Sequence, residues 1–109
     1  MVLKDGIPQL IRVHDLHYVD FNYTVNAPPN SDIAIAQTPL FGDPEILVTT
    51  DPRRARIDHW DWEAILTDMV FVNHTHPKYV NPGTYNIAAY GLEVSLFSMT
   101  AAPEINSSE

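Results

Sequence analysis

The chain has 109 residues, enough for one domain with its own hydrophobic core, and 45% of them are apolar, so we expect it to fold. Its 14 acidic and 6 basic residues give a formal net charge of −8, which disfavours binding to nucleic acid or to anionic membrane surfaces. The lack of cysteine excludes disulfides and thiolate chemistry, and the apolar runs are too short for a membrane helix.

Short runs of β-branched, aromatic and alternating apolar residues predict strands along most of the chain, separated by proline, glycine and asparagine. The predicted strands cover residues 16–25, 32–38, 45–50, 69–75, 84–92 and 94–101, and the ambiguous segment 51–68 contains a further candidate strand around Trp60 and Trp62. Residues 62–66 are compatible with a helical turn as well, but we favour a strand followed by a loop. Seven or eight strands bordered by nine prolines predict an all-β fold, an antiparallel β-sandwich or jelly roll. We assign residues 1–103 to this domain and 104–109 to a polar tail or linker.

Five segments in order resemble the bacterial pre-peptidase C-terminal domain, namely LKDGIP, HYVDFNYTV, GDPEILVTT, HWDW and PGTYNIAAYGLEVSLFSMTA. In that family a Gly-Asp-Pro-Asp turn leads into a strand, an Asp-Trp pair follows, and a Pro-Gly-Thr-Tyr strand pairs with a final strand. Glu45 replaces the second aspartate of the turn, and the stretch NHTHPKYVNPG is longer than usual. The resemblance implies a non-catalytic β-sandwich attached to a secreted peptidase or another surface protein. Some relatives bind calcium through an acidic N-terminal linker, but only Asp5 is acidic here, so we do not transfer that property.

Three asparagines occupy Asn-X-Ser/Thr sequons, the acceptor pattern for N-linked glycans: Asn22, Asn73 and Asn106. Average composition would give about one such match by chance. One interpretation is a glycoprotein of a secretory pathway, and the other is coincidence in a bacterial or cytosolic domain. The opening residues lack the features of a secretory signal, so an extracellular location predicts that the chain is part of a longer protein.

Two groups of residues are weak candidates for metal binding. His74 and His76 are two residues apart and would point to one side of a strand, as in some zinc sites, but a loop with exposed histidines is the interpretation we favour. Carboxylates could gather around calcium from Asp58, Asp61, Glu63 and Asp68, although their spacing lacks the order of a calcium loop. A solvated acidic loop is the interpretation we favour, and we expect no cofactor, with calcium as the weaker alternative.

The middle of the chain also contains candidates for partner binding. Trp60 and Trp62 are two residues apart, so both indoles would share a face, where they fill the core or form an exposed aromatic platform for carbohydrate or protein. Core packing is the interpretation we favour. A basic cluster precedes them, consisting of Arg53, Arg54 and Arg56. It could dock on an acidic patch of another copy, or it could be a charged turn.

The sequence contains none of the short motifs that mark common catalytic sites, so we predict that the chain is not an enzyme. We predict a structural or adhesive module of a larger extracellular glycoprotein, with other protein domains, copies of itself and N-linked glycans as partners. A repeating unit of a surface fibre would satisfy this prediction. The alternative is an accessory domain of a secreted peptidase that aids export, folding or substrate binding. A protease domain in the same polypeptide would favour the alternative, and tandem copies would favour the first prediction.

Overall fold

The computed structural model describes residues 1–64 and 68–104, and within these ranges the chain forms nine β-strands and no helix. The strands are β1 (Val2–Leu3), β2 (Gln9–Val13), β3 (Tyr18–Val25), β4 (Asp32–Phe41), β5 (Pro44–Thr49), β6 (Trp62–Ala64), β7 (Met69–Val72), β8 (Gly83–Gly91) and β9 (Ser95–Glu104). The all-β prediction is confirmed. The count exceeds the predicted seven or eight because β1 and β2 were not recognised in the sequence. Residues 105–109 of the predicted tail lie outside the described residues.

The strands form two sheets that pack as a β-sandwich. The five-stranded sheet has the order β1-β3-β8-β5-β6, and the four-stranded sheet has the order β2-β9-β4-β7. All neighbours are antiparallel except β1, which runs parallel to β3. In the described ranges, no helix is long and apolar enough to cross a membrane.

The core lies between the sheets, where alternate residues of each strand meet. In β3, Phe21, Tyr23 and Val25 point inward and are buried, whereas Asn22 and Thr24 between them are exposed. This alternation follows from the two-residue period of a strand. The opposite sheet supplies buried side chains from β2, β4, β7 and β9, among them Ile11, Val13, Ile33, Ile35, Val70, Val72, Phe97 and Met99.

One end of the sandwich is closed by hydrogen bonds between two loops, residues 26–31 and residues 73–82. The Asn81 side chain accepts a hydrogen bond from the Ala27 N–H at 3.0 Å and donates to the Ala27 carbonyl at 3.1 Å. The Tyr79 hydroxyl donates to the Ser31 carbonyl at 2.7 Å. The buried Tyr85 hydroxyl donates to the Val80 carbonyl and accepts from the Val80 N–H, and burial raises the pKa of Tyr85 to about 12. These contacts fix the long loop on the core.

The segment after β1 joins the two sheets at their edge. The buried Tyr23 hydroxyl of the five-stranded sheet donates a hydrogen bond of 2.5 Å to the Asp5 carboxylate. Asp5 forms a bridge with Ala101 in the other sheet, and the Gly6 N–H donates to the Ala101 carbonyl at 3.0 Å. Burial raises the pKa of Tyr23, and the bond to Asp5 raises it further. The buried Tyr23 hydroxyl therefore has a hydrogen-bond partner, which a polar group removed from water needs.

The turn between β4 and β5 requires glycine at Gly42. Its φ is +85°, and an added Cβ would lie 2.6 Å from the Ser95 Cα, so a side chain would be both strained and blocked. The Ser95 hydroxyl accepts a hydrogen bond from the Asp43 N–H at 3.0 Å and donates to the Glu93 carbonyl at 2.9 Å. The Gly-Asp-Pro corner thus packs directly against the turn between β8 and β9.

Glu45 is a buried carboxyl on the outer side of the five-stranded sheet. It is only 6% exposed, and burial raises its pKa, with the negative charges of Asp43 and Glu63 adding to the effect. The folded state therefore holds this proton more tightly than the unfolded chain does. As a result, the stability is lowered as pH rises from the ordinary glutamate range through the raised pKa.

Replacing Glu45 with glutamine should stabilise the protein at neutral pH, because the neutral amide avoids the cost of a buried negative charge. We expect a melting temperature a few degrees above that of the wild type near neutral pH, and little difference near pH 4. Thermal unfolding followed by circular dichroism measures both. Glu93→Gln, at an exposed glutamate, is the matched control and should change little at either pH. An equal effect of Glu45→Gln at both pH values would contradict the electrostatic explanation.

Candidate interaction surface

The outer side of the four-stranded sheet presents an exposed surface, here called the four-stranded face. It consists of the outward residues Leu10 of β2, Ala34, Ala36, Thr38 and Phe41 of β4, Met69 and Phe71 of β7, and Leu96, Ser98, Thr100 and Ala102 of β9. Rows of neighbours cross the sheet, and one row runs from Thr100 through Ala36 to Met69. The inward residues of the same strands belong to the core, so the alternation that builds the core also creates this face.

The four-stranded face is mainly apolar and open to solvent. Leu10 is 64% exposed, Met69 is 47% exposed and Phe71 is 49% exposed. Small residues such as Ala34 and Ala36 lie between the large ones and make the middle of the face low in relief. A contiguous exposed apolar patch is informative, whereas single exposed apolar residues are common. The face is therefore a candidate surface for contact with another protein.

Charged side chains of the described residues in these four strands lie only at the ends of the face. Arg12 pairs with Leu96 at one end. Asp32 and Glu104 are paired neighbours at the other end. Between these ends the described strand residues of the face carry no charged side chain, and exposed Asp68 directly precedes Met69 at the β7 edge. An acidic partner would therefore meet little electrostatic repulsion at the middle of this face.

The outer side of the five-stranded sheet is instead partly covered by the arginine loop, defined as residues 51–61. Arg56 forms a bidentate ion pair with Asp20 of β3, with N–O distances of 2.7 and 3.2 Å. Arg54 approaches the same carboxylate at 3.4 Å. The Arg56 guanidinium also lies over the Tyr18 ring, 4.2 Å from its centre, and the pair with Asp20 raises the pKa of Arg56. One aspartate thus anchors two of the three predicted basic residues.

Further contacts hold the arginine loop in place. Arg56 and His59 exchange backbone hydrogen bonds of 2.8 and 2.9 Å, which close a tight turn. The Asp61 carboxylate accepts from the Thr49 hydroxyl at 2.6 Å, and buried Ala55 packs against Leu47 and Ala88. Arg53 is paired with Asp51 at 3.5 Å within the loop and points to solvent. The basic cluster is therefore a charged turn in which Arg54 and Arg56 contact the sheet and Arg53 does not.

A shallow polar recess of about 230 Å³ lies beside the arginine loop. Its lining includes Asn22, Arg54 and Asn86, and the Asn86 amide donates to the Asp51 carbonyl at 2.8 Å. Sequence reasoning did not identify Asp20, Tyr18 or Asn86 as partners of the loop. They are distant from it in the chain, and only the pairing of β3 with β8 brings them together.

The two tryptophans do not share a face, so that prediction is wrong. Trp62 is the first residue of β6, is 8% exposed and contacts the rings of Tyr85 and His76 at 5.8 and 4.5 Å. Trp60 lies in the arginine loop and is 41% exposed. The strand alternation begins only at Trp62, so the two-residue spacing does not determine the direction of Trp60.

The structure separates the candidate metal ligands. His74 and His76 lie in the loop after β7 and not on a strand, and both are half-buried, whereas exposed histidines were expected. The His74 ring is 2.8 Å from the Asp32 carboxylate, and the His76 ring accepts from the Lys78 N–H at 3.0 Å. The His74 N–H and ring together lower the pKa of Asp32. Within the described ranges no three metal-binding side chains converge, and this holds for the carboxylates of Asp58, Asp61, Glu63 and Asp68.

Two of the three sequons lie on the described surface. Asn22 is exposed on the outer side of β3. The Asn73 amide oxygen accepts hydrogen bonds from the Thr75 N–H at 2.9 Å and from the Thr75 hydroxyl at 2.7 Å. A glycan attached through the amide nitrogen would leave both bonds intact. Asn106 lies outside the described residues.

Comparison of the chain with protein-family models, curated proteins and solved structures gives no match. The resemblance to the pre-peptidase C-terminal domain therefore stays a prediction. The functional argument depends on the surfaces of the chain itself. Sequence reasoning did not identify the four-stranded face. A signal for it was present in β7, where Met69 and Phe71 alternate with residues that are also apolar, so both sides of the strand are apolar.

Replacing Asp20 with asparagine should loosen the arginine loop, because Arg54 and Arg56 lose their shared carboxylate. Trypsin cleaves after arginine in mobile segments, so we expect cleavage after Arg54 and Arg56 to become several-fold faster. Limited proteolysis with mass spectrometry identifies the sites. Asp58→Asn makes the same charge change at an exposed position of the same loop and should leave the rate near that of the wild type. Equal rates for the two variants would show that the ion pairs do not hold the loop.

Proposed function

We propose that the chain is a non-catalytic structural or adhesive β-sandwich module of a larger extracellular glycoprotein, and that it docks on a neighbouring protein domain through the four-stranded face. The observation that carries this proposal is the exposed apolar face itself, with charge confined to its ends. The pre-peptidase C-terminal resemblance is consistent with the same role, as a module within a surface protein.

Physical chemistry favours docking at this face. Burial of apolar surface contributes about 25 cal/mol per Å², so covering Leu10, Phe41 and Phe71 would favour association. A sheet surface with small residues in its middle allows another sheet to pack about 10 Å away, as sheets do within a sandwich. The other outer surface offers less, because the arginine loop already covers part of it. The four-stranded face is thus the better docking surface of the two.

The histidines support the non-catalytic part of the proposal. His74 contacts the Asp32 carboxylate, and His76 accepts a backbone hydrogen bond while its ring lies against Trp62. His59 is 3.3 Å from an Arg53 guanidinium nitrogen through its Nδ1 atom. Each of these three imidazoles has a local structural contact, which supports a structural role, although within the described residues the His59 Nε2 atom is buried without a hydrogen-bond partner.

The sequon positions support the glycoprotein part of the proposal. Asn22 is on the sheet opposite the four-stranded face, and Asn73 follows Val72 at the end of β7. Glycans at these positions would leave the middle of the face open. The module could therefore carry sugars and still contact a neighbour.

Radical footprinting tests whether the face is covered in native material. Met69 and Trp60 are both readily oxidised and similarly exposed, at 47% and 41%, but Met69 belongs to the four-stranded face and Trp60 to the arginine loop. We expect Met69 and Phe71 to be protected in native assembled material relative to the dilute isolated chain, while Trp60 is oxidised in both. Mass spectrometry of the peptides gives the ratio. Equal oxidation of Met69 in both samples would refute docking through this face.

Intact mass measurement tests the glycoprotein assignment. We expect native material to carry hexose-containing additions at Asn73 and Asn22, since both amides are at the surface. Enzymatic release of N-glycans should remove them and convert each modified asparagine to aspartate. Native material with the unmodified mass would exclude this part of the proposal and leave the docking surface unaffected.

A further inference from the structure

We infer that the partner at the four-stranded face is a second copy of this chain, packed face to face with its strands running in the opposite direction. The inference rests on the proposed function, because it assumes that this face is a docking surface. It adds the identity of the partner and the geometry of the contact.

The distribution of charge along the face supports this geometry. Arg12 marks one end, where it pairs with Leu96, and Glu104 marks the other end, where it pairs with Asp32. Leu96 and Glu104 belong to the same strand, and eight residues of β-strand separate the two ends by roughly 26 Å. The face therefore has a cationic end, an apolar middle and an anionic end.

Such a face is complementary to itself in one orientation. A two-fold axis in the plane of the contact and perpendicular to the strands places Arg12 of each copy at the Glu104 end of the other. An axis parallel to the strands would instead bring the two Arg12 ends together and the two acidic ends together. Charge thus selects the reversed arrangement, with Thr100 and Ala36 of each copy near the axis.

The overall charge of the chain also favours this face for self-association. Two molecules that each carry −8 repel one another over most approaches. Asp43 and Glu93 are near the Arg12 end, but they belong to the turns that connect the two sheets and not to the face. Exposed Asp68 directly precedes Met69 and lies at the β7 edge of the face, whereas the part of the face on β4 and β9 near the axis brings no like charges together. Apolar burial on β4 and β9 therefore meets the least opposition.

The size of the face sets the expected affinity. Four strands about 4.8 Å apart and a length of about 26 Å give roughly 500 Å² for each copy. The total of roughly 1,000 Å² is at the low end of specific interfaces, so separate chains should associate weakly, with a Kd of about 10 µM to 1 mM. Copies tethered in one assembly experience effective concentrations of about 1 mM, at which such a contact would be formed in about half of the copies at the weak end of this range and in nearly all at the strong end.

Sedimentation of the chain at concentrations from about 10 µM to 1 mM tests the inference. We expect a dimer that grows with concentration in the wild type. Thr100→Lys places a cation of each copy beside the axis and should abolish the dimer. Thr24→Lys is the matched control, since it introduces the same residue at an exposed strand position of the opposite sheet, and it should dimerise like the wild type. Circular dichroism confirms that each variant is folded.

A charge exchange tests the orientation and avoids changes in the middle of the face. Arg12→Glu and Glu104→Arg should each weaken the dimer several-fold, and the double variant should restore it, because the opposite charges meet again between copies. A double variant no stronger than the single variants would overturn the reversed arrangement.

The absence of cysteine allows an independent test of proximity. Thr100→Cys in two copies should be joined by a short bifunctional maleimide, because facing sheets are about 10 Å apart, whereas Thr24→Cys should not. A chain that stays monomeric throughout and does not cross-link would refute self-association. If Met69 were nevertheless protected in native material, the face would bind a different domain and the proposed function would stand. Without that protection, both proposals would fail.

Discussion

The structure depends on one constraint, which is that every strand must place alternate side chains in the core shared by the two sheets. In β3 this puts Phe21 and Tyr23 inside and Asp20 and Asn22 outside. A shift of one residue would bury both polar side chains and expose both aromatic ones, so the register is strongly specified. The same constraint, applied to β4 and β9, determines which residues form the outer surfaces. The outer surfaces are thus a direct result of how the core is built.

The outer surfaces of the two sheets differ because the residues at their outward positions differ. On the five-stranded sheet, Asp20 anchors Arg54 and Arg56, and the arginine loop shields apolar residues such as Leu47. On the four-stranded sheet, the outward positions are alanine, threonine and large apolar residues. An apolar surface that remains open has a cost in solubility, so a partner is a physical explanation for its presence. The net negative charge of the chain offsets part of that cost by keeping molecules apart when they are dilute.

The sequence predicted the sandwich because strand periodicity and proline positions are local signals, and β3, β4, β5, β7, β8 and β9 were identified in this way. The segment of β6 was ambiguous: the strand was expected around Trp60 and Trp62 with a loop after it, whereas β6 covers Trp62–Ala64. β1 and β2 were missed because Val2–Leu3 is too short for a periodic pattern and Gln9–Val13 has an exposed leucine on its outer side. The position of Trp60 was wrong because the spacing of two residues has meaning only inside a strand. The anchoring of Arg56 on Asp20 could not be predicted, because 36 residues separate them and only the sheet pairing brings them together.

The parallel pairing of β1 with β3 determines how the domain would respond to tension on its ends. β1 runs in the same direction as β3, and β9 runs from the Gly42 end towards the Asp32 end, so Met1 and Glu104 point towards opposite ends of the sandwich. Pulling on these ends would load both terminal strands in shear along their length. β9 is flanked by β2 and β4, so hydrogen bonds to two neighbouring strands would resist its displacement. By contrast, β1 is held in the sheet by only two residue pairs with β3. The first residues would therefore detach at low force, while the rest of the sandwich stayed folded and bore the load.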